Sequence, residues 1–282
     1  MVLSLKTAAK LNLSLQVVGK RPDGYHEIDS VMQSISLYDL VKLEESKKGI
    51  IISSNMLGLP TDRKNTAYRA AEVFFERVGI DSGAKIFIEK HIPIAAGLAG
   101  GSADAAAVLI GLNMLFSAGL SESDIARLAA DVGSDVAFCA VGGTCRCRGR
   151  GELVEKISSL PKTHCVLVAP GIHISSKWVY DNFDLEWLME HRMVGAHRLQ
   201  TGIDIFNDLE KVVLSKYSEV GRIKKRLIDL GCLVSLMSGS GSSVFGITAD
   251  RKTAENTVSA LLKEFPQTWL LETVEEGVVP QV

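Results

Sequence analysis

The chain contains 282 residues, of which 46% are hydrophobic and 23% are charged. At ~150 residues per domain this length suggests about two domains with ordinary cores. Lysine and arginine total 31 against 33 acidic residues, a net charge of −2, which argues against a polybasic nucleic-acid-binding protein and against an acidic disordered chain. The 25 glycines exceed the typical share of about 7% only slightly, so their placement matters more than their number.

The cysteines and the N-terminus indicate a compartment. None of the five cysteines forms a C-x-x-C pair, and a chain of this size needs no disulfide framework. Cys145 and Cys147 have no second Cys or His pair nearby, so no zinc site is expected. The first residues lack the order of a signal peptide. Between Ile92 and Ser121 the only charged residue is Asp104, which argues against a membrane span. We expect a cytoplasmic protein with reduced thiols.

In the first half of the chain, period-two alternation predicts strands at 11–18, 50–53 and 85–89. A turn is expected between the first strand and Tyr25. Asn65 is placed to cap a helix whose apolar positions recur at helical spacing. An apolar run from Ala106 to Leu115 predicts a second helix. Ser121 and Asp124 resemble a capping box that opens a third.

A loop-like stretch between Gly149 and Pro161 precedes the second half. The patterns beyond it predict strands at 165–169, 233–237 and 244–248, and helices near 208–215, 218–230 and 252–264. Elements come in runs of one type rather than in strict alternation, which indicates an α+β fold. We place a domain boundary in the loop-like stretch, with one domain over 1–155 and another over 156–282.

The densest glycine cluster runs from Pro93 to Asp104, after a predicted strand and before a predicted helix. Glycine lets a backbone approach an anion, and the N–H groups at a helix start attract phosphate. The spacing matches neither the G-x-G-x-x-G fingerprint nor the Walker P-loop. Small residues also allow close packing of a helix on a sheet, so the pattern alone leaves phosphate binding and packing open.

Several weaker signals accompany this cluster. The segment 238–243 reads Ser-Gly-Ser-Gly-Ser-Ser, which suits either a flexible turn or the wall of a cleft. Tyr25 and His26 follow a turn, where such rings are either ordinary surface residues or a platform for a base. Asp135 comes just after a predicted helix, where an aspartate is usually a turn former. Lys10, near Asn12 in the first strand, would not indicate a site alone.

Taken together and in this order, these segments resemble the GHMP kinase superfamily. The matching segments are Ala9–Leu13, Gly19–Glu27, Pro93–Ala107, Gly133–Val136, Asn207–Glu210 and Ser238–Gly246. The resemblance implies a two-domain GHMP kinase fold with both ligands in the cleft between the domains. The run from Arg21 to Glu27 is similar to the corresponding segment of the superfamily member that phosphorylates a cytidyl alcohol in isoprenoid precursor biosynthesis. ATP, with Mg²⁺, would then be the phosphoryl donor.

The resemblance also implies roles for individual residues. Asp135 matches the family's catalytic aspartate and Lys10 its partner lysine. The residues expected to bind ATP are Pro93, Ala95, Ala96, Gly97, Leu98, Ala99, Gly100, Gly101, Ser102 and Ala103, together with Asn65 and Lys90. The residues expected to bind the cytidyl substrate are Asn12, Tyr25, His26 and Tyr180. No carboxylate pair for the metal is evident, and only Ser102 suggests itself as a protein ligand of Mg²⁺.

Two departures and three alternatives accompany this interpretation. Ala137 stands where the family commonly has proline, and Cys145–Arg150 matches no assigned segment. A GHMP kinase acting on homoserine, mevalonate or a sugar would have no base for Tyr25 to stack on. A binding module without activity would not need Lys10 and Asp135, and an RNA-binding protein would need a basic stripe. We expect a bacterial protein that is a monomer or weak homodimer, binds small molecules, and binds neither nucleic acid nor a membrane.

Overall fold

The computed structural model describes residues 2–186, 188, 197–199 and 201–281. The strands in chain order are β1 (Val2–Lys20), β2 (His26–Ser46), β3 (Gly49–Ser54), β4 (Gly83–Glu89), β5 (Thr144–Gly149), β6 (Leu153–Lys156), β7 (His164–Val168), β8 (His197–Arg198), β9 (Asp204–Asn207), β10 (Val234–Met237), β11 (Val244–Ile247), β12 (Thr268–Glu272) and β13 (Val278–Gln281). The helices are α1 (Thr66–Val78), α2 (Gly100–Leu115), α3 (Glu122–Val132), α4 (Ser134–Val141), α5 (Ser176–Asp181), α6 (Glu210–Lys216), α7 (Ser218–Asp229) and α8 (Arg251–Leu261).

The larger sheet is built around the long antiparallel pair of β1 and β2. Its strand order is β3-β4-β2-β1-β9-β8, with β13 paired to β1 and with β5 and β6 extending from β2. The strand predicted at 11–18 lies inside β1 and is confirmed. β2 was not predicted, and His26, expected on a loop, begins it. Buried polar residues such as Gln33 and Asp39 hide the apolar alternation of this strand.

Helices α1 to α4 belong to the same half as this sheet, and α2 packs directly on β1 and β2. A Cβ atom on Gly111 of α2 would lie 2.2 Å from Leu43 and 2.8 Å from Leu5, so glycine is needed for this close approach. The predicted caps are confirmed: Asn65 accepts a hydrogen bond at the start of α1, and Ser121 forms a capping box for α3. Among the described residues no helix is both long and apolar enough to cross a bilayer.

The smaller sheet has the order β10-β11-β7-β12, and its strands are antiparallel. Alternate residues of these strands face two different cores. Leu167 and Phe245 pack with the core of the larger sheet, whereas Val166 and Val244 pack against the side of α6 to α8. One sheet therefore joins the two halves through apolar contacts on its inner face.

Three strands from the second half of the chain, β8, β9 and β13, belong to the larger sheet, and two of them pair with β1. β9 pairs in parallel with β1, and β13 pairs with β1 antiparallel. The α+β class is confirmed, while the division at residue 155 stays a prediction. These crossings bring β9 and the loop after β10 to the centre of β1.

Candidate active site

A cleft of about 930 Å³ lies where the two halves meet. All of the residues predicted to bind ATP or substrate, or to act in catalysis, line it except Leu98 and Ala103. Leu98 is buried in the core and its carbonyl accepts a hydrogen bond from the Lys10 amide over 3.2 Å. The Ala103 carbonyl accepts a hydrogen bond from Thr7 over 2.9 Å. Both residues support the walls of the cleft from behind.

Lys10 and Asp135 meet inside the cleft. The Nζ atom of Lys10 lies 3.5 Å from Oδ2 of Asp135, and the lysine side chain is 5% exposed against 30% for the aspartate. Asp135 was expected in a turn, but it lies in the first turn of α4. A carboxylate is favoured there by the positive end of the helix dipole. Asp135 is thus the more open member of the pair and the one a hydroxyl substrate can reach.

A chain of hydrogen bonds holds Lys10 in place. Its ammonium donates to Oδ1 of Asn12 over 2.6 Å, and the Asn12 amide donates to Ser30 over 2.8 Å. The backbone N–H of Asn12 donates to Ser238 over 3.3 Å. A Cβ atom on Gly239 would lie 3.3 Å from both Lys10 Nζ and Asn12 Oδ1. Asn12 therefore orients the lysine, and the second glycine cluster packs against both.

The segment 238–243 also fixes the glycine-rich loop. The Ser238 hydroxyl donates to the Gly97 carbonyl over 3.0 Å, and the Ser243 amide donates to the Ala96 carbonyl over 3.2 Å. Asn207 donates to the carbonyls of Met237 and Gly239. Of the two roles left open for this segment, the structure shows the wall of a cleft.

The glycine-rich loop runs from Pro93 to Ala99 and leads into α2. A Cβ atom on Gly97, which has φ +78°, would lie 2.1 Å from the Ser238 carbonyl oxygen. Ala95 and Ala99 have φ of 52° and 57°, a conformation that costs about 1–3 kcal/mol for a residue other than glycine. α2 begins without a side-chain cap, so its first N–H groups are available to an anion in the cleft.

Asn65 and Lys90 line the same end of the cleft, but their polar side-chain atoms are engaged. Asn65 caps α1 through Oδ1, and its amide donates to the Pro60 carbonyl over 2.8 Å. The Lys90 side chain is 2% exposed, and its ammonium binds the carboxylates of Asp39 and Asp104. Neither aspartate was predicted as a site residue, although Asp104 was noted as the only charged residue between Ile92 and Ser121, because a buried carboxylate gives no sequence pattern unless its distant partner is known.

At the other end of the cleft lie three aromatic rings. The His26 ring stacks on Tyr180 of α5, with centroids 5.1 Å apart and planes inclined by 26°. Burial lowers the pKa of His26, so the imidazole is neutral near pH 7. Burial also raises the pKa of Tyr180, so its hydroxyl keeps its proton. Tyr25 is 55% exposed and offers an open ring face beside this stack.

The turn before these rings is shaped by Arg21. Its guanidinium contacts Asp23 over 3.1 Å and Glu27 over 2.8 Å, and the Tyr25 amide donates to Asp23 over 3.1 Å. These contacts tie the end of β1 to the start of β2, so that Tyr25 and the following histidine face the cleft. The segment Arg21–Glu27 therefore positions its two rings as well as supplying them.

Arg150 was not predicted as a site residue. Its guanidinium lies 5.1 Å from the centre of the Tyr25 ring, and the residue lines the cleft. It occupies the turn between β5 and β6, next to Gly151, whose Cβ position would be 3.6 Å from Oδ1 of Asp135. The β5–β6 turn thus places the Arg150 guanidinium over the Tyr25 ring and Gly151 beside Asp135. The only sequence feature that could have pointed to Arg150 was the loop-like composition of residues 149–151.

The unassigned run from Cys145 to Arg150 is mostly strand β5. Cys145 and Cys147 face the core, and burial raises the pKa of both thiols. Arg146 and Arg148 point outward to Asp29 and Glu155. The C-x-C spacing is therefore the alternation of a strand. Within the described ranges no three His, Cys, Asp or Glu side chains gather as a metal site would require.

Comparison with known proteins agrees with this geometry. Residues 65–143 match the family model for the GHMP kinase N-terminal domain, and residues 184–267 match the model for the C-terminal domain. A 4-diphosphocytidyl-2-C-methyl-D-erythritol kinase from Clostridium botulinum (strain Loch Maree / Type A3) is 42% identical over 277 residues, covering 95% of this chain and 99% of the relative. The chain belongs to the GHMP kinases, within the family of these erythritol kinases.

Solved GHMP kinases share the architecture. A crystal structure of 4-(cytidine 5'-diphospho)-2C-methyl-D-erythritol kinase superimposes with a TM-score of 0.82 at 31% identity, covering 96% of this chain and 98% of the other. A homoserine kinase from Cytophaga hutchinsonii superimposes with a TM-score of 0.74 at 18% identity, covering 99% of this chain and 97% of the other. The second likeness shows the fold alone. The expected two-domain GHMP kinase fold is confirmed.

Proposed function

We propose that this GHMP kinase transfers the γ-phosphoryl group of ATP to the 2-hydroxyl of 4-diphosphocytidyl-2-C-methyl-D-erythritol, giving the 2-phosphate and ADP. One observation carries the proposal: the Lys10–Asp135 pair lies in a cleft that also contains the glycine-rich loop and the Tyr25–His26–Tyr180 rings. A phosphate site and a base site on the same cleft suit a donor nucleotide and a cytidyl acceptor.

The glycine-rich loop is the proposed site of the ATP phosphates. The uncapped N–H groups at the start of α2 and the positive end of its dipole favour negative charge. The family resemblance supports ATP as the co-substrate. Phosphoryl transfer needs positioning and charge stabilisation more than covalent chemistry. A rigid loop packed on Ser238 and Ser243 meets the first of these needs.

Asp135 is the proposed general base. It accepts the proton of the attacking 2-hydroxyl as the bond to phosphorus forms. Lys10, 3.5 Å away, holds the carboxylate in place and offsets negative charge on the transferring phosphoryl group. The hydrogen bond from the Lys10 ammonium to Asn12 fixes the lysine beside the carboxylate. A preorganised charge costs no reorganisation at the moment of transfer.

Mg²⁺ would bind mainly to the ATP phosphates and to water. Its preferred ligands are hard oxygens, and both the Ser102 hydroxyl and the Asp135 carboxylate line the cleft. This donor set suits the metal, and Ser102 is the proposed protein ligand. When bound, Mg²⁺ neutralises charge on the phosphates.

The cytidyl group is proposed to bind among the aromatic rings. Stacking on an aromatic ring contributes about 1–3 kcal/mol per base. Tyr25 and Tyr180 supply the ring faces. His26, neutral and carrying one donor and one acceptor nitrogen, is suited to the polar edge of cytosine. Arg150, over the Tyr25 ring and next in the chain to Gly151, which lies beside Asp135, is the proposed contact of the substrate diphosphate.

The proposal is tested by ADP release from ATP with the cytidyl substrate, with homoserine and mevalonate as alternative acceptors. We expect turnover with the cytidyl substrate and background rates with the other two. Turnover with homoserine or mevalonate alone would place the enzyme elsewhere in the superfamily. We further propose that the enzyme is located in a bacterial cytoplasm and that it is a monomer or weak homodimer. Size-exclusion chromatography with light scattering measures the oligomeric state.

A further inference from the structure

The Lys90 side chain links three elements behind the glycine-rich loop. Its ammonium binds Oδ2 of Asp39 on β2 and, over 2.8 Å, Oδ2 of Asp104 on α2. The exposed fractions of the three side chains are 2%, 0% and 3%. A buried charge that loses its partner is strongly disfavoured. Lys90 therefore cannot leave this cluster for a phosphate without exposing two buried carboxylates to each other.

Asp39 and Asp104 hold opposite ends of the loop. Oδ1 of Asp39 accepts hydrogen bonds from the N–H groups of His91 over 2.6 Å and Ile92 over 2.8 Å. These are the residues immediately before Pro93. Asp104 lies in α2, shortly after the loop ends. Through its two carboxylates, Lys90 thus fixes both the entry and the exit of the loop.

The backbone of Lys90 holds the opposite wall of the nucleotide end. Its N–H donates to Oδ1 of Asn55 over 2.8 Å, and its carbonyl accepts from the Asn55 amide over 3.5 Å. Asn55 begins the segment that supplies Leu59, Pro60 and Asn65 to the cleft. Both walls of this end are therefore attached to one residue.

Glycine at the start of α2 permits this arrangement. A Cβ atom on Gly100 would lie 3.2 Å from Lys90 Nζ and 3.0 Å from Ile92 Cγ2. The absence of a side chain leaves room for the ammonium directly under the helix start. The remaining oxygen of Asp104, Oδ1, is buried without a hydrogen-bond partner. Two of the three N–H donors of the Lys90 ammonium are directed to the carboxylates of Asp39 and Asp104, and the lysine side chain is 2% exposed.

We propose that Lys90 is a positioning residue that shapes the nucleotide site through the two walls it ties together, and that it makes no contact with the phosphates. This inference rests on the proposed function, since it concerns the ATP end of the same cleft. It differs from a direct role in a measurable way. If Lys90 bound phosphate, weakening its hold on Asp104 would free it and strengthen nucleotide binding. If Lys90 positions the loop, the same change weakens nucleotide binding.

The test compares Asp104→Asn and Asn55→Ala with the wild-type enzyme. Neither Asp104 nor Asn55 is proposed to touch the phosphates, and Asn55 is exposed, so its substitution spares the core. The dissociation constant of the non-hydrolysable analogue AMP-PNP is measured by calorimetry, and that of cytidine diphosphate serves as the reading for the other end of the cleft. Hydrogen exchange of the loop amides reports its order.

We expect both variants to raise the AMP-PNP dissociation constant by about 10-fold or more, to leave that of cytidine diphosphate unchanged, and to speed exchange in the loop. The control is Thr257→Val, which removes a buried hydrogen bond to Leu230 over 3.1 Å in the second half of the chain and should change neither constant. Unchanged or tighter AMP-PNP binding in Asn55→Ala and in folded Asp104→Asn would overturn the inference.

Failure of the proposed function would look different. A wild-type enzyme that binds AMP-PNP but does not phosphorylate the cytidyl substrate would overturn the proposed acceptor. The comparison of AMP-PNP affinities among the variants would still decide the role of Lys90. A wild-type enzyme that does not bind AMP-PNP would overturn both.

Discussion

The Nζ atom of Lys10 lies 3.5 Å from Oδ2 of Asp135, at the meeting point of β1 and α4. The same ammonium donates to Asn12, whose backbone is tied to Ser238 and through it to Gly97. The proposed base is thus connected through hydrogen bonds to the loop proposed to hold the ATP phosphates. A shift of either component changes the geometry of transfer.

Replacing Asp135 with asparagine removes the proposed base and keeps the size of the side chain. We expect kcat to fall by about 10² to 10⁴-fold, with little change in the thermal midpoint, because Asp135 is partly exposed. Stopped-time ADP release and thermal unfolding measure the two effects. Asp131→Asn, an exposed carboxylate on the neighbouring helix α3, is the matched control. An Asp135→Asn enzyme with near-wild-type kcat would remove the base from the mechanism.

The aromatic rings lead to a prediction about KM. Tyr25→Ala and Tyr180→Ala should each raise KM for the cytidyl substrate by about 5- to 150-fold, the range implied by stacking energies of 1–3 kcal/mol. KM for ATP should stay the same, since the rings lie away from the glycine-rich loop. Steady-state kinetics with each substrate varied in turn gives both constants. An unchanged KM for the cytidyl substrate in both variants would refute the stacking role.

Arg150→Ala tests the proposed diphosphate contact. Loss of a hydrogen bond to a charged group costs about 1.5–3 kcal/mol, so KM for the cytidyl substrate should rise by about 10- to 150-fold. Arg148→Ala is the control on the same hairpin, because its guanidinium pairs with Glu155 over 2.9 Å on the outer face. Equal effects of the two substitutions would mean that Arg150 acts only through general charge.

Gly97→Ala should disturb the phosphate loop. The added methyl group would lie 2.1 Å from the Ser238 carbonyl oxygen, and the backbone has φ +78°. We expect KM for ATP to rise and stability to fall by more than the ~1 kcal/mol typical of left-handed glycine positions. Gly79→Ala, with φ +70° and open space around it, measures that conformational cost alone. Urea unfolding measures the loss of stability in each variant, and ATP kinetics measure the change in KM for ATP. Identical losses of stability in the two variants would contradict the argument that the added methyl group collides with Ser238.

The pH dependence of stability tests the buried cluster. Burial raises the pKa of Asp104 to about 7, and Asp39 adds to the rise, although Lys90 opposes it. A carboxyl with a raised pKa binds its proton more tightly in the folded state. Its contribution to stability is therefore present below its ordinary pKa near 3.8 and is lost as pH rises through about 7.

Asp104→Asn should remove that dependence. The stability of the variant minus that of wild type should rise as pH increases from 5 to 8, as measured by urea unfolding at a series of pH values. A constant difference between the two proteins across this range would show that Asp104 ionises as an ordinary carboxyl. The Thr257→Val protein serves as a reference whose difference from wild type should not vary with pH.

The sequence predicted local features well. Asn65 and Ser121 cap helices as expected, because a cap depends on residues a few positions away. The glycine-rich segment lines the cleft for the same reason, since a strand, a loop and a helix start are consecutive in the chain. Residues recognised through the family resemblance, such as Lys10 and Asp135, come together although no spacing rule joins them.

What the sequence could not show depends on distant contacts. Asp39 is buried because of Lys90, 51 positions away along the chain, and its charge made β2 look unlike a strand. The stacking of His26 on Tyr180 requires both halves of the fold. Arg150 lines the cleft only because the fold places the β5–β6 turn beside Asp135. In each case the residue could be read from the sequence, but the distant residue that it contacts could not.

Phosphorus NMR of the reaction mixture is the most direct test of the central claim. The enzyme is incubated with ATP, Mg²⁺ and 4-diphosphocytidyl-2-C-methyl-D-erythritol. The account predicts one new phosphomonoester on the methylerythritol unit for each ADP formed, with the substrate's diphosphate intact. ADP formed without that phosphomonoester, or a phosphomonoester formed on homoserine or mevalonate in place of the cytidyl substrate, would contradict it.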